Sequence, residues 1–118
     1  MSNIKQFLRS ILMDQEIIDL TADKKVYFLH AISPTPPYVE YEIIDENGEE
    51  WAENKEIATT YYIQVDIFSK GDYTELENKI KEKMINAGFN RSSAVDLYEE
   101  NTGLFHKAMR FVFTTNSN

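Results

Sequence analysis

Apolar residues recur along the first twelve positions with the period of a helix. Ile4, Phe7, Leu8, Ile11 and Leu12 fall at i, i+3, i+4, i+7 and i+8, which puts them on one face. Ser2 or Asn3 can cap this helix, and Lys5 and Arg9 lie on its wetter side. Asp14–Leu20 holds Ile17, Ile18 and Leu20 in a run that fits either a further helical turn or a packed connector. Val26–His30, β-branched and aromatic, predicts a short strand. Ser33-Pro34-Thr35-Pro36-Pro37 comes next. Its prolines remove three amide donors and make an extended connector with room for a cis bond.

Alternation then takes over. In Tyr38–Ile44, Val39, Tyr41 and Ile43 face one way while Tyr38, Glu40 and Glu42 face the other. In Thr59–Phe68, Tyr61, Ile63, Val65 and Ile67 share a face, and Tyr62, Gln64, Asp66 and Phe68 share the opposite one. Both segments read as strands. Between them, Asp45–Ile57 breaks the pattern with Asn47-Gly48 and a dense acidic run, and is expected to be a mobile loop.

Asp72–Ala87 is the clearest helix. Leu76, Ile80 and Met84 form its stripe, and Asp72 and Glu75 have the spacing of an acidic capping box. Acids lead and bases come after, as the helix dipole favours. Gly88 is placed to end the helix in the left-handed conformation, with Phe89 folding back in a Schellman cap. Ala94–Glu99 and Leu104–Thr114 predict a hairpin around Glu100-Asn101-Thr102-Gly103. Lys107 interrupts the apolar face of the last strand, which implies a bulge or a snorkelling stem. Residues 115–118 read as a frayed tail.

This order implies one α+β domain over residues 1–118. The expected architecture is a mainly antiparallel sheet of four to five strands with two helices packed on one face, a two-layer sandwich.

Composition narrows the function. The chain has 118 residues, 20 acids, 12 bases and no cysteine. That excludes disulfides and thiolate chemistry and suits a reducing cytosol. A net charge of −8 argues against binding to a phosphate backbone, so no nucleic acid is expected. No apolar run reaches the ~20 residues that span a bilayer, and Met1–Leu12 lacks the apolar core of a secretory signal, so no membrane partner is expected. His30 and His106 are the only histidines and read as strand residues at a rim. There is no nucleophile elbow, phosphate-binding glycine loop or zinc signature. Asp45–Glu50 lacks the ligand spacing of a calcium loop. No catalytic, metal or cofactor residue is assigned.

Charge distribution is more informative. Glu40–Glu56 holds eight of the acids and one base, Lys55, and therefore seven of the eight net negative charges. The only tryptophan, Trp51, sits among them. A charged run is most often a solvated face. A tryptophan ringed by acids also fits a docking loop for a basic surface, with Glu46, Glu49, Glu50, Trp51, Glu53, Asn54, Lys55 and Glu56 as its contact residues.

Three segments resemble the tail-completion (head–tail joining) proteins of long-tailed phages and prophages. One is the proline-led strand Pro36-Pro37-Tyr38-Val39-Glu40-Tyr41, a P-Y-x-x-Y pattern. Another is Gln64-Val65-Asp66-Ile67-Phe68 ahead of the helix that ends at Gly88. The last is the closing hairpin Asp96-Leu97-Tyr98-Glu99-Glu100-Asn101-Thr102-Gly103-Leu104-Phe105-His106-Lys107-Ala108-Met109-Arg110-Phe111. The resemblance covers about residues 26–114 and implies a small α+β fold with no catalytic residues. It also implies a virion structural role, with assembly in the host cytoplasm. Copies would form a ring, a hexamer, from subunits that are monomers when free. The ring would end the tail tube at the head–tail junction, its partners being the tail-tube and head-completion proteins. Two other roles remain open at this point. One is an acidic inhibitor that mimics nucleic acid against a basic host protein. The other is an enzyme with a divalent metal held by carboxylates.

Overall fold

The computed structural model describes residues 3–48, 51–52, 55–56 and 58–116, with the backbone alone at 51–52, 55–56 and 116. It is an α+β fold in which the helices pack on one face of a five-stranded sheet. Helix α1 spans Ile4–Leu12 and α2 spans Gln15–Ile18. The Asn3 side chain caps α1 by accepting from the Gln6 amide at 3.1 Å. Next come strands β1 (Tyr27–Phe28) and β2 (Tyr38–Gly48), then the two-residue strands β3 (Trp51–Ala52) and β4 (Lys55–Glu56) and the long β5 (Ala58–Ser69). Helix α3 (Thr74–Asn86) leads to the hairpin of β6 (Asn90–Glu99) and β7 (Leu104–Asn116).

The sheet order is β1-β2-β5-β7-β6. Every pairing is antiparallel except β1 with β2, which is parallel. β5 is central because its alternating residues are the most apolar available. Ile63, Val65 and Ile67 are fully buried on the helix side, beside Val39 and Tyr41 of β2 and Met109 and Phe111 of β7. Leu8, Leu12, Ile17, Leu76, Ile80 and Met84 close over them from the three helices. The ambiguous Asp14–Leu20 segment resolves into short α2, held by Asp14 at its start and by Ile17 in the core.

The end of α3 obeys the expected chemistry. Gly88 adopts φ +102°, its amide bonds the Ile85 carbonyl at 3.0 Å, and the Phe89 amide bonds the Met84 carbonyl at 3.0 Å. These two bonds make a Schellman motif. At the start, Asp72 accepts from the Thr74 amide and hydroxyl, so the helix begins at Thr74. The Pro36–Pro37 bond is cis.

Four expectations need correction. Residues 45–48 are not loop: β2 runs on through Asp45–Gly48, paired with Tyr62–Thr59 of β5. A bulge at Ile44 hides this from the alternation pattern, because it shifts every later residue to the other face. Thr115 and Asn116 are not frayed: they pair with Thr59 and Ala58. Lys107 sits in regular register opposite Ile67, so it causes no bulge. The bulge in this hairpin lies at Ser92, and β6 begins at Asn90 rather than Ala94.

Candidate functional site

Of the residues expected in an interaction loop, Glu46 lies exposed on β2. Trp51, Lys55 and Glu56 lie on the β3–β4 pair, where Trp51 stands opposite Glu56 and Ala52 opposite Lys55. Glu49, Glu50, Glu53 and Asn54 lie outside the described residues. The backbone thus places this segment at the end of an arm. The three central strands carry on past the core cluster, whose last members along them are Ile43, Tyr61 and Phe113. Beyond these, Asn47–Gly48, Ala58–Thr60 and Thr114–Asn116 form a three-stranded extension, with Thr60 and Thr114 hydroxyls bonded at 2.8 Å. The molecule is correspondingly long, 52 × 28 × 24 Å.

The sheet face opposite the helices carries a polar network that the sequence reading left unassigned. Asp66, 4% exposed, meets His106 Nε2 at 2.7 Å. Gln64 donates to Asp66 at 3.0 Å, and Arg110 Nε donates to Gln64 at 3.1 Å. Rings of Tyr38, Phe68 and His106 stack across three strands, with centroids 4.8 and 4.3 Å apart. His106 is therefore a half-buried mid-sheet residue and not a rim residue. The shared face of Gln64, Asp66 and Phe68 in the alternation was the signal for this network. Glu42 stands on the same face. Burial pushes its carboxyl above the usual range, as do the nearby charges of Asp66 and Glu40, while Arg110 opposes them.

A histidine–aspartate pair suggests acid–base chemistry, but its surroundings do not complete a site. The second ring nitrogen of His106 faces Glu99 at 4.0 Å. A histidine that activates a hydroxyl needs that nitrogen turned toward the nucleophile. Here both nitrogens face carboxylates, so the pair ties β5 to β7. Among the described residues, no group of three or more His, Asp or Glu is placed to hold a metal ion, and no helix is long and apolar enough to cross a membrane. The surface hollows are shallow. One of about 440 Å³ lies between the two bulges, beside Ile44, Asp45, Tyr62, Ser93 and Arg110.

On the helix side, Lys107 reaches Asp96 at 3.1 Å and Glu77 of α3 at 3.4 Å, and the Tyr73 hydroxyl donates to Asp96. Burial pushes the Tyr73 phenol up to about 12, and the bond to Asp96 adds to the shift. A raised tyrosine favours the protonated form in the folded protein. Its stabilisation is complete below the ordinary value of 10 and is lost as pH climbs from 10 to about 12. The expected result is a fall in denaturation midpoint across that window that is smaller in Tyr73→Phe. Denaturant titrations of both proteins at stepped alkaline pH would check it, and equal falls would refute it.

The remaining exposed feature is β6. It forms one end of the sheet, and its outer backbone edge has no strand beside it among the described residues. Val95 (49% exposed), Leu97 (45%) and Tyr98 (56%) stand on it.

Comparison with known proteins finds no family model and no curated protein that matches the chain.

Proposed function

We propose that the chain is a structural protein of the phage head–tail junction, which forms a ring that terminates the tail tube and docks to the head-completion proteins. The observation that carries this reading is the arm. Three strands are extended beyond the core at the cost of leaving Ile44–Gly48 exposed on β2. A reaction gains nothing from such an extension, whereas a neighbouring subunit can grip it. A contact between the arm of one copy and a different surface of the next is heterologous and closes into a ring when the rotation permits. The three motifs of the resemblance lie on β2, on β5 leading into α3, and on the β6–β7 hairpin, which together build the sheet. Arm acids steer the encounter with a basic surface, and Trp51 supplies the anchor.

Nucleic-acid mimicry has less support. It needs charges spread in an outward array, and on the open sheet face Asp66 is engaged by His106 and Gln64.

The test is capture of partners from a phage-producing lysate by the wild-type chain and by Trp51→Ala, read by mass spectrometry. Tail-tube or head-completion proteins should be recovered by the wild type and depleted about tenfold or more by the variant, the loss of roughly 1.4 kcal/mol or more expected of an anchoring aromatic. Recovery of a host nuclease or polymerase in their place overturns the reading.

A further inference from the structure

We propose that strand β6 is a self-association edge, on which a second copy of this chain adds its own β6 in antiparallel fashion. The two sheets then join into one of ten strands. This contact does not depend on the phage-junction reading.

Natural sheets blunt a free edge with lysine and other charged side chains, inward-pointing charges, proline, short strands or bulges. β6 has ten residues, no proline and no lysine, and the charge of its inward-facing Asp96 is met by Lys107. Its one irregularity, at Ser92, lies near its start and leaves Ser93–Glu99 in regular register. Unpaired amides and carbonyls along this stretch are a template for another strand. Exposed side chains on both faces add to it: Val95 and Leu97 on the open face, Tyr98 on the helix face beside Phe105 (ring centroids 5.2 Å).

The residues themselves select the occupant. Two identical strands side by side and antiparallel are related by a two-fold axis normal to the sheet, so each residue faces one on the same side of its own sheet. Centring the axis at Asp96 would set two carboxylates opposite one another, which is destabilising. Centring it at Val95 sets valine on valine and Leu97 on Ser93. It places Ala94 opposite Asp96, whose carboxylate is already held by Lys107 and Tyr73. Because the bulge at Ser92 puts Arg91 on the helix face, each end brings Arg91 of one copy opposite Tyr98 of the other. A cation there meets an aromatic face. No like charges oppose each other in this register, and five residues of each strand, Ser93–Leu97, pair without interruption.

The absence of cysteine makes the test direct. Residues directly opposite in an antiparallel pair have Cα atoms about 4.5–5.5 Å apart, within disulfide reach. Val95→Cys alone should therefore cross-link to itself in a glutathione redox buffer. Leu97→Cys should not, because its two copies stand four residues out of step, about 13 Å along the strands. A mixture of Leu97→Cys with Ser93→Cys should cross-link again. Val95→Arg sets two cations face to face at the axis and should give a monomer by sedimentation at about 0.1 mM, where the wild type is dimeric, as suits a small interface. Its circular dichroism should match the wild type, since Val95 is outside the core. The proposal is overturned if the wild type is monomeric at that concentration. It is also overturned if Leu97→Cys cross-links alone as readily as Val95→Cys, or if Val95→Arg leaves association unchanged.

Discussion

Phe89→Ala should destabilise the protein by about 3–5 kcal/mol, a large share of the ~5–15 kcal/mol that folds a domain of this size. Phe89 is 1% exposed and stacks on Phe113 at 4.5 Å and on Phe7 at 6.0 Å. It therefore joins α1, the end of α3 and β7 at one point. Its amide also closes the Schellman motif after Gly88. Alanine keeps that amide but removes the ring that holds the turn against the sheet. The turn also needs glycine at 88, because its φ is +102° and a Cβ there would lie 3.3 Å from the Phe113 ring. Urea denaturation of both proteins measures the difference. A loss under about 1 kcal/mol would mean the three elements are held mainly elsewhere.

Lys107→Ala is the second large expected loss, about 2–3 kcal/mol, with most of it reproduced by Lys107→Met. The Lys107 side chain is 10% exposed, between Glu77 at 17% and Asp96 at 61%. Burial works against its charge, but the bonds to Asp96 and Glu77 outweigh this and hold its ammonium above the ordinary range. Removing it leaves Glu77 half buried without that cation. Methionine restores the apolar stem and not the charge, so the two variants separate packing from electrostatics. Asp96 is largely in water, and Asp96→Asn should cost well under 1 kcal/mol. The Tyr73 and Lys107 bonds hold its carboxyl below the ordinary 3.8. A depressed carboxyl stabilises above its unfolded value, so that small contribution disappears as pH falls below about 4. Equal losses for Lys107→Ala and Asp96→Asn would contradict this ordering.

Much of the architecture was legible because burial and periodicity agree. Ile63, Val65 and Ile67 alternate, and they are the centre of the core. Gly88-Phe89 announces a helix end because left-handed backbone and an apolar return are both written in two residues. The arm was hidden for the opposite reason. Asp45–Gly48 is exposed and polar, so its pairing rests on backbone bonds to Tyr62–Thr59 and leaves no trace in hydropathy. The bulge at Ile44 then reverses the phase of the residues after it. The two-residue β1 is too short for any period, and its parallel pairing depends on the strap that the connector through Pro37 makes, with Ala31 donating to the Glu40 carboxylate. His106 was misplaced because its role rests on Asp66, forty residues away in sequence. The docking role given to Glu46–Glu56 was drawn from composition; of its residues, Trp51, Lys55 and Glu56 lie on the β3–β4 pair and Glu46 on β2.

The topology divides the sheet into two local hairpins and one distant seam. β6–β7 joins neighbours in the chain, and β2–β5 joins strands separated only by the short β3–β4 pair. β5–β7 joins residues from 36 positions apart, Ser69 with Phe105, to 58 apart, Ala58 with Asn116. Loop-closure entropy rises along that seam, and α3 shortens the gap only at the Ser69 end. Zipping of that seam therefore starts beside α3 and runs outward, so β7 is the last strand to join the arm. A nascent chain consequently completes its core before β7 closes the arm.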